Sequence, residues 1–143
     1  RELSALQSAL AMLETEILHY ASNLPEALIR IGKSNNNGTG KLFYLTGQTL
    51  INKKKYTASE AWSSALEELK ADLYLQQEDI DILKRFGEQL GNSDKEGQSR
   101  FIKLTALQLH EEEKKARVNR DKYSKMYKSL GLLGGIALAI LML

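Results

Sequence analysis

The last fourteen residues, Leu130 to Leu143 (LGLLGGIALAILML), carry no polar side chain and close an otherwise charge-rich chain. As an α-helix such a stretch reaches about 21 Å, short of a bilayer core of about 30 Å. The turns before it make up the difference. Tyr123, Met126 and Tyr127 are apolar or amphipathic, and Lys122, Lys125 and Lys128 can snorkel to the interface. Counted from Met126 the span holds eighteen residues, enough for a slightly thin membrane. Gly131, Gly135 and Ala139 recur every fourth residue, a spacing that lets helix backbones approach closely in lipid. Upstream, Lys114, Lys115, Arg117, Arg120, Lys122, Lys125 and Lys128 face the single acid Asp121, as expected of a cytoplasmic flank. The expectation is a domain over 1–125 standing in the cytoplasm and a transmembrane segment over 126–143. The alternative is a C-terminal helix buried in a soluble bundle.

Composition narrows the classes that remain. A net charge of +2 is too small to argue for nucleic acid, and aromatics do not alternate with basic residues as stacking platforms do. There is no cysteine, which excludes disulfides and thiolate chemistry. A single proline suits long uninterrupted helices. Because the chain opens on Arg1 rather than methionine, processing or truncation upstream is expected.

The pattern is helical throughout. Leu3, Leu6, Leu10, Leu13, Ile17, Tyr20 and Leu24 alternate by three and four, a seam for packing on other helices, with Glu14 and Glu16 off it and solvated. Asn23, Pro25 and Glu26 open a second helix as cap, first-turn proline and box partner, and Gly32 ends it. Lys33 to Gly40 (KSNNNGTG) is expected as a surface loop; Asn35 stands where a phosphate loop needs glycine, and no strand leads in. Lys41 to Asn52 forms a short helix with Leu42, Leu45 and Leu50 inward. Thr57 and Glu60 box the next, which carries Trp62, Ala65, Leu66, Leu69 and Leu73. Gln76 to Leu90 places Ile80, Leu83, Phe86 and Leu90 inward, and Gly91 caps its end. Ser93 and Asp94 compete to cap a last helix, with Glu96 as box partner to Ser93. That helix runs through Phe101, Ile102, Leu104 and Leu109 for 45 or more residues into the tail. No stretch alternates with period two, so the expected fold is an all-α antiparallel bundle of about six helices.

Catalytic chemistry finds no residues to stand on. The carboxylates lie at spacings typical of solvated helix faces, not as a pair with separated pKa values. His19 and His110 are the only histidines, and His110 is followed by Glu111, Glu112 and Glu113 without a second zinc-binding histidine. No nucleophile-elbow pattern occurs. No enzyme, cofactor, metal or small-molecule substrate is expected. Charge is segregated instead. Glu60, Glu67, Glu68, Asp72, Glu78, Asp79 and Asp81 face Lys70 alone, a surface suited to a basic partner. The basic stem from Lys114 to Lys128 suits anionic lipid.

Phe86-Gly87-Glu88-Gln89-Leu90-Gly91-Asn92-Ser93-Asp94, followed by Gln98, Ile102 and Leu104, resembles the signature of the stage III sporulation protein AB family. So do Leu6-Gln7 with Ala9-Leu10, Leu13-Glu14 with Glu16-Ile17, Leu24-Pro25-Glu26-Ala27-Leu28, and Ala61-Trp62 with Leu66. The resemblance covers nearly the whole chain. It implies a membrane segment upstream of Arg1 and a helical domain similar to that of the inner-membrane platform protein of type II secretion and type IV pilus machines. It further implies a place in the mother-cell membrane around the forespore. The implied partners are a secretion-type ATPase and other membrane subunits of the complex. Trp62, Phe86, Gly87, Leu90, Gly91 and Asp94 are implied to be structural, and no catalytic residue carries over. Two other functions stay open at this point: a soluble ligand-binding bundle, and a coiled-coil adaptor dimerising through Leu3, Leu10 and Ile17.

Overall fold

The computed structural model describes the backbone of residues 2–19, 23–91 and 94–142, and the side chains of 3–18, 23–91 and 94–118. Among the described residues there are six helices and no strand: α1 (Glu2–His19), α2 (Leu24–Lys33), α3 (Gly38–Asn52), α4 (Ala58–Leu69), α5 (Gln77–Gln89) and α6 (Lys95–Met142). The chain divides into two units, Arg1–Glu111 and Glu112–Leu143.

In the first unit the three-four seam of α1 becomes core. Leu3, Leu6, Leu10, Leu13 and Ile17 are all buried, joined by Leu28 and Ile31 of α2 and Leu42 and Phe43 of α3. That burial leaves no seam on α1 for a second copy, so the coiled-coil adaptor through Leu3, Leu10 and Ile17 is set aside. Helix α1 packs on α2 and α3, while α2 packs on α3, α3 on α4, and α4 on α5. Glu14 and Glu16 are not simply solvated. Glu14 accepts from the buried Ser99 hydroxyl of α6 at 3.2 Å, and Glu16 pairs with Arg30 of α2 at 2.6 Å. The carboxylate of Glu16 holds the Arg30 guanidinium above its ordinary pKa through that hydrogen bond.

Local chemistry sets the helix starts. Asn23 accepts the Glu26 amide at 3.0 Å, and Pro25 sits in the first turn, where its missing N–H costs nothing. Two boundaries differ from the sequence reading. Gly32 lies inside α2 rather than at its end; a β-carbon there would stand 2.6 Å from that of Tyr44, so it serves helix contact. The expected loop to Gly40 stops at Asn37, whose side chain accepts the Gly40 amide at 3.0 Å and starts α3. Thr39 and Gly40 are therefore buried rather than a surface connection.

Asp94 accepts the Gly97 amide at 2.8 Å and caps α6, while Ser93 lies outside the described residues. Ile102 and Leu109 are buried, but Leu104 is exposed. Helix α6 continues for 48 residues to Met142. The side chains of the apolar tail, Gly131, Gly135 and Ala139 included, lie outside the described residues. Among the described residues no helix is long and apolar enough to cross a membrane. In the second unit Lys115 pairs with Glu112 at 3.2 Å and Arg117 with Glu113 at 3.0 Å. The start of the basic stem is thus partly neutralised by acids one turn back.

Candidate functional site

The acidic residues gather on α4, α5 and the connection between them, and an aromatic knot fixes how those two helices lie. Thr57 accepts the Glu60 amide at 3.1 Å and Glu60 accepts the Thr57 amide at 3.1 Å, a complete capping box that fixes where α4 begins. One turn on, Trp62 is fully buried and donates its indole N–H to the Leu83 carbonyl of α5 at 2.9 Å. Phe43 and Phe86 meet the Trp62 ring edge to face, with centroids 5.4 and 5.1 Å away. Such geometry sets a positive ring edge on a negative face. The indole fits because position 87 has no side chain: a β-carbon on Gly87 would collide with Cδ1 of Trp62. Phe86 in turn stacks on Phe101 of α6 at 6.2 Å.

The end of α5 is fixed as firmly. Leu90 is buried and its amide reaches the Gly87 carbonyl at 3.1 Å. Gly91 follows at φ +80, the left-handed conformation that side chains resist. Ala58 lies against Gly91 and Trp62 against Gly87, so α4 and α5 run antiparallel. Their connection forms one end of the pair.

At that end the connection is pinned by Leu73, buried, and Leu75, half-buried. Tyr74 between them is 91% exposed. Glu68, Asp72, Glu78 and Asp81 are exposed too, Asp81 accepting from Gln77 at 2.9 Å. The other three acids have different work. Glu60 is engaged in the cap at the opposite end of α4. Asp79 is 2% exposed and accepts the Gln76 amide at 3.0 Å, so burial corrects its expected role in meeting a partner. Its carboxyl group sits at the positive end of α5. Glu67 pairs with Lys70 at 2.8 Å and approaches Lys84 of α5 at 3.8 Å. The hydrogen bond from Lys70 holds its carboxyl below the ordinary range, with the Lys84 charge adding to that. The surface is therefore less acidic than the sequence spacing suggests: of the seven acids, Glu68, Asp72, Glu78 and Asp81 are exposed outside the cap, the buried site and the lysine pairs.

Polar residues at core register were missed by the periodicity argument. Thr46 and Thr105 are buried, their hydroxyls donating to the carbonyls of Leu42 at 2.8 Å and Phe101 at 2.9 Å. Threonine four residues after a helical carbonyl is the signal that would have found them. Among the described residues no group of three or more histidines or carboxylates could hold a metal ion.

Comparison with known proteins agrees along the whole length. The profile of the stage III sporulation protein AB family matches residues 1–143. Stage III sporulation protein AB of Bacillus subtilis (strain 168) is 34% identical over 143 residues, which is 100% of this chain and 83% of that protein. A solved structure of a stage III sporulation protein AB superposes with TM-score 0.77 at 31% identity, covering 84% of this chain and 94% of that one. The residues that carry the likeness in the sequence, Trp62 and Phe86 to Gly91, are the knot and cap that hold α4 on α5. The chain belongs to the stage III sporulation protein AB family.

Proposed function

We propose that the chain is a membrane-anchored scaffold subunit of a secretion-like channel complex between mother cell and forespore. In this reading residues 126–143 stand in the mother-cell membrane and the helical unit over Arg1–Glu111 stands in the cytoplasm. There it couples a secretion-type ATPase to the other membrane subunits, as the platform proteins of type II secretion and type IV pilus machines do. It acts by binding and not by catalysis, with no cofactor and no small-molecule substrate.

The observation that supports this reading is the connecting end of α4 and α5. Glu68, Asp72, Glu78 and Asp81 are exposed, as is Tyr74, over the end of α4, the connection and the start of α5, while Leu73 of that connection is buried and Leu75 half-buried. Exposed acids and an exposed aromatic on one connection suit a basic partner surface: charge supplies association rate, and the ring supplies desolvated contact. The apolar run from Leu130 supports the anchor.

The test is co-purification of the ATPase from sporulating cells with the chain carrying lysine at Glu68, Asp72, Glu78 and Asp81. The expected result is loss of the ATPase with unchanged helical content and melting temperature. Equal recovery with the reversed charges would move the docking site elsewhere.

A further inference from the structure

Between Glu26 and Glu60 the chain carries no acidic residue, and α3 lies within that stretch. Lys33, Lys41, Lys53, Lys54 and Lys55 fall in it, all exposed. None of the five pairs with a carboxylate among the described residues. Arg30, the remaining cation of the stretch, is committed to Glu16 of α1. Lysines thus stand at both ends of α3, with no acid on the helix to offset them.

The face between those lysines is ordered by its own contacts. Leu42, Phe43, Thr46 and Gly47 of α3 are buried, and Gly47 brings the helix against Pro25 and Ile29 of α2. Lys41, Tyr44, Gln48 and Ile51 face outward, spaced three, four, three, which at about 100° per residue is one stripe. Tyr44 and Ile51 are 38% and 45% exposed. Beside them runs a polar ladder: the Gln48 amide donates to the Tyr44 hydroxyl at 2.8 Å, and the Asn52 amide to the Gln48 carbonyl at 3.1 Å. The lysine turn after the helix is held as well. The Lys53 amide donates to the Thr49 carbonyl at 2.8 Å and the Tyr56 amide to the Lys53 carbonyl at 3.1 Å. The Lys53 ammonium lies 5.8 Å from the centre of the Tyr56 ring.

We infer that this face of α3 is a docking surface for an acidic segment of a partner protein, laid along the helix. Charge complementarity sets the partner's sign, and α3 offers it a length of about 22 Å. A ring, an amide ladder and an isoleucine lie between charged ends, which is the anatomy of a protein interface with its aromatic centre and polar rim. A lipid surface takes up the apolar face of a helix, and that of α3 is already spent in the core. Nucleic acid is bound through arginines and several stacking rings, whereas Arg30 is engaged and Tyr44 is the one exposed ring on α3. The face shares no residue with the α4–α5 connection and stands or falls independently of the proposed function.

The probe is a fluorescein-labelled helical peptide of glutamate, alanine and leucine, as long as α3. It is titrated with the 143-residue chain in a nonionic detergent at about 0.15 M salt, and binding is read by fluorescence anisotropy. The expected result is saturable binding, and none to the same peptide with lysine in place of glutamate. The Lys53→Glu/Lys54→Glu/Lys55→Glu variant weakens it by roughly tenfold or more at unchanged circular dichroism. Tyr44→Ala and Ile51→Ser change no charge and weaken it several-fold, which attraction to solvated lysines alone would not produce. Where Tyr44→Ala disturbs folding, Ile51→Ser reads the same contact. Absence of binding overturns the inference, and so does binding indifferent to the lysines or to the folded neutral variants. Displacement of the labelled peptide by phosphatidylglycerol added to the micelles, or by single-stranded RNA, more readily than by unlabelled peptide overturns it in favour of lipid or nucleic acid. Lysine-dependent self-association of the chain without peptide overturns it in favour of a second copy.

Discussion

At the scale of single residues, the weight falls on the meeting of Trp62 and Gly87. The indole occupies the volume that any side chain at position 87 would need, and its N–H is committed to the Leu83 carbonyl. Gly87→Ala is expected to destabilise the chain by roughly 1–3 kcal/mol through overpacking. Trp62→Ala is expected to cost more, roughly 3–5 kcal/mol, through the cavity it leaves. Urea midpoints at unchanged slope check both. Glu67 offers a pH test. Its folded pKa lies below the ordinary value of 4.5, because Lys70 and Lys84 favour the charged form. The stability it contributes is therefore present above that value and lost as pH falls through the lowered one. Melting temperatures of the native chain and Glu67→Gln should differ slightly at pH 7 and converge in strong acid. They should also converge in about 0.5 M salt, since the pair is exposed.

At the scale of elements, caps were the most legible part of the chain and the long helix the least. Asn23, Thr57, Asp94 and Gly91 each stand where local hydrogen bonding or a left-handed backbone demands that residue type, and each terminates or starts a helix. Replacing Thr57 by alanine should cost α4 about 1 kcal/mol, and Glu60→Ala should cost little more once Thr57 is gone. A double-mutant cycle by chemical denaturation measures that coupling. What the sequence hid was pairing between distant segments. Glu14 and Ser99 are far apart along the chain, and nothing in either local pattern announces that they meet. Glu16 looked solvated for the same reason, its partner Arg30 being on another helix. Gly32 and Gly40 misled in the other direction. Glycine at a helix end and glycine at a close helix contact look alike until the neighbouring helix is in place.

At the scale of the whole molecule, the all-α architecture and the family were readable because helical periodicity and the order of short motifs both extend over nearly the entire length. The acidic surface was readable only in outline. Spacing alone treated seven acids as one group, whereas Asp79 went to a helix start, Glu60 to a cap and Glu67 to two lysines. The scaffold account depends on the apolar tail lying in lipid. Alkaline carbonate extraction of membranes from cells making residues 1–143 tests that directly. The account predicts that the chain stays in the membrane pellet and that removal of residues 126–143 releases it to the supernatant. Release of the intact 1–143 chain by carbonate would contradict the account.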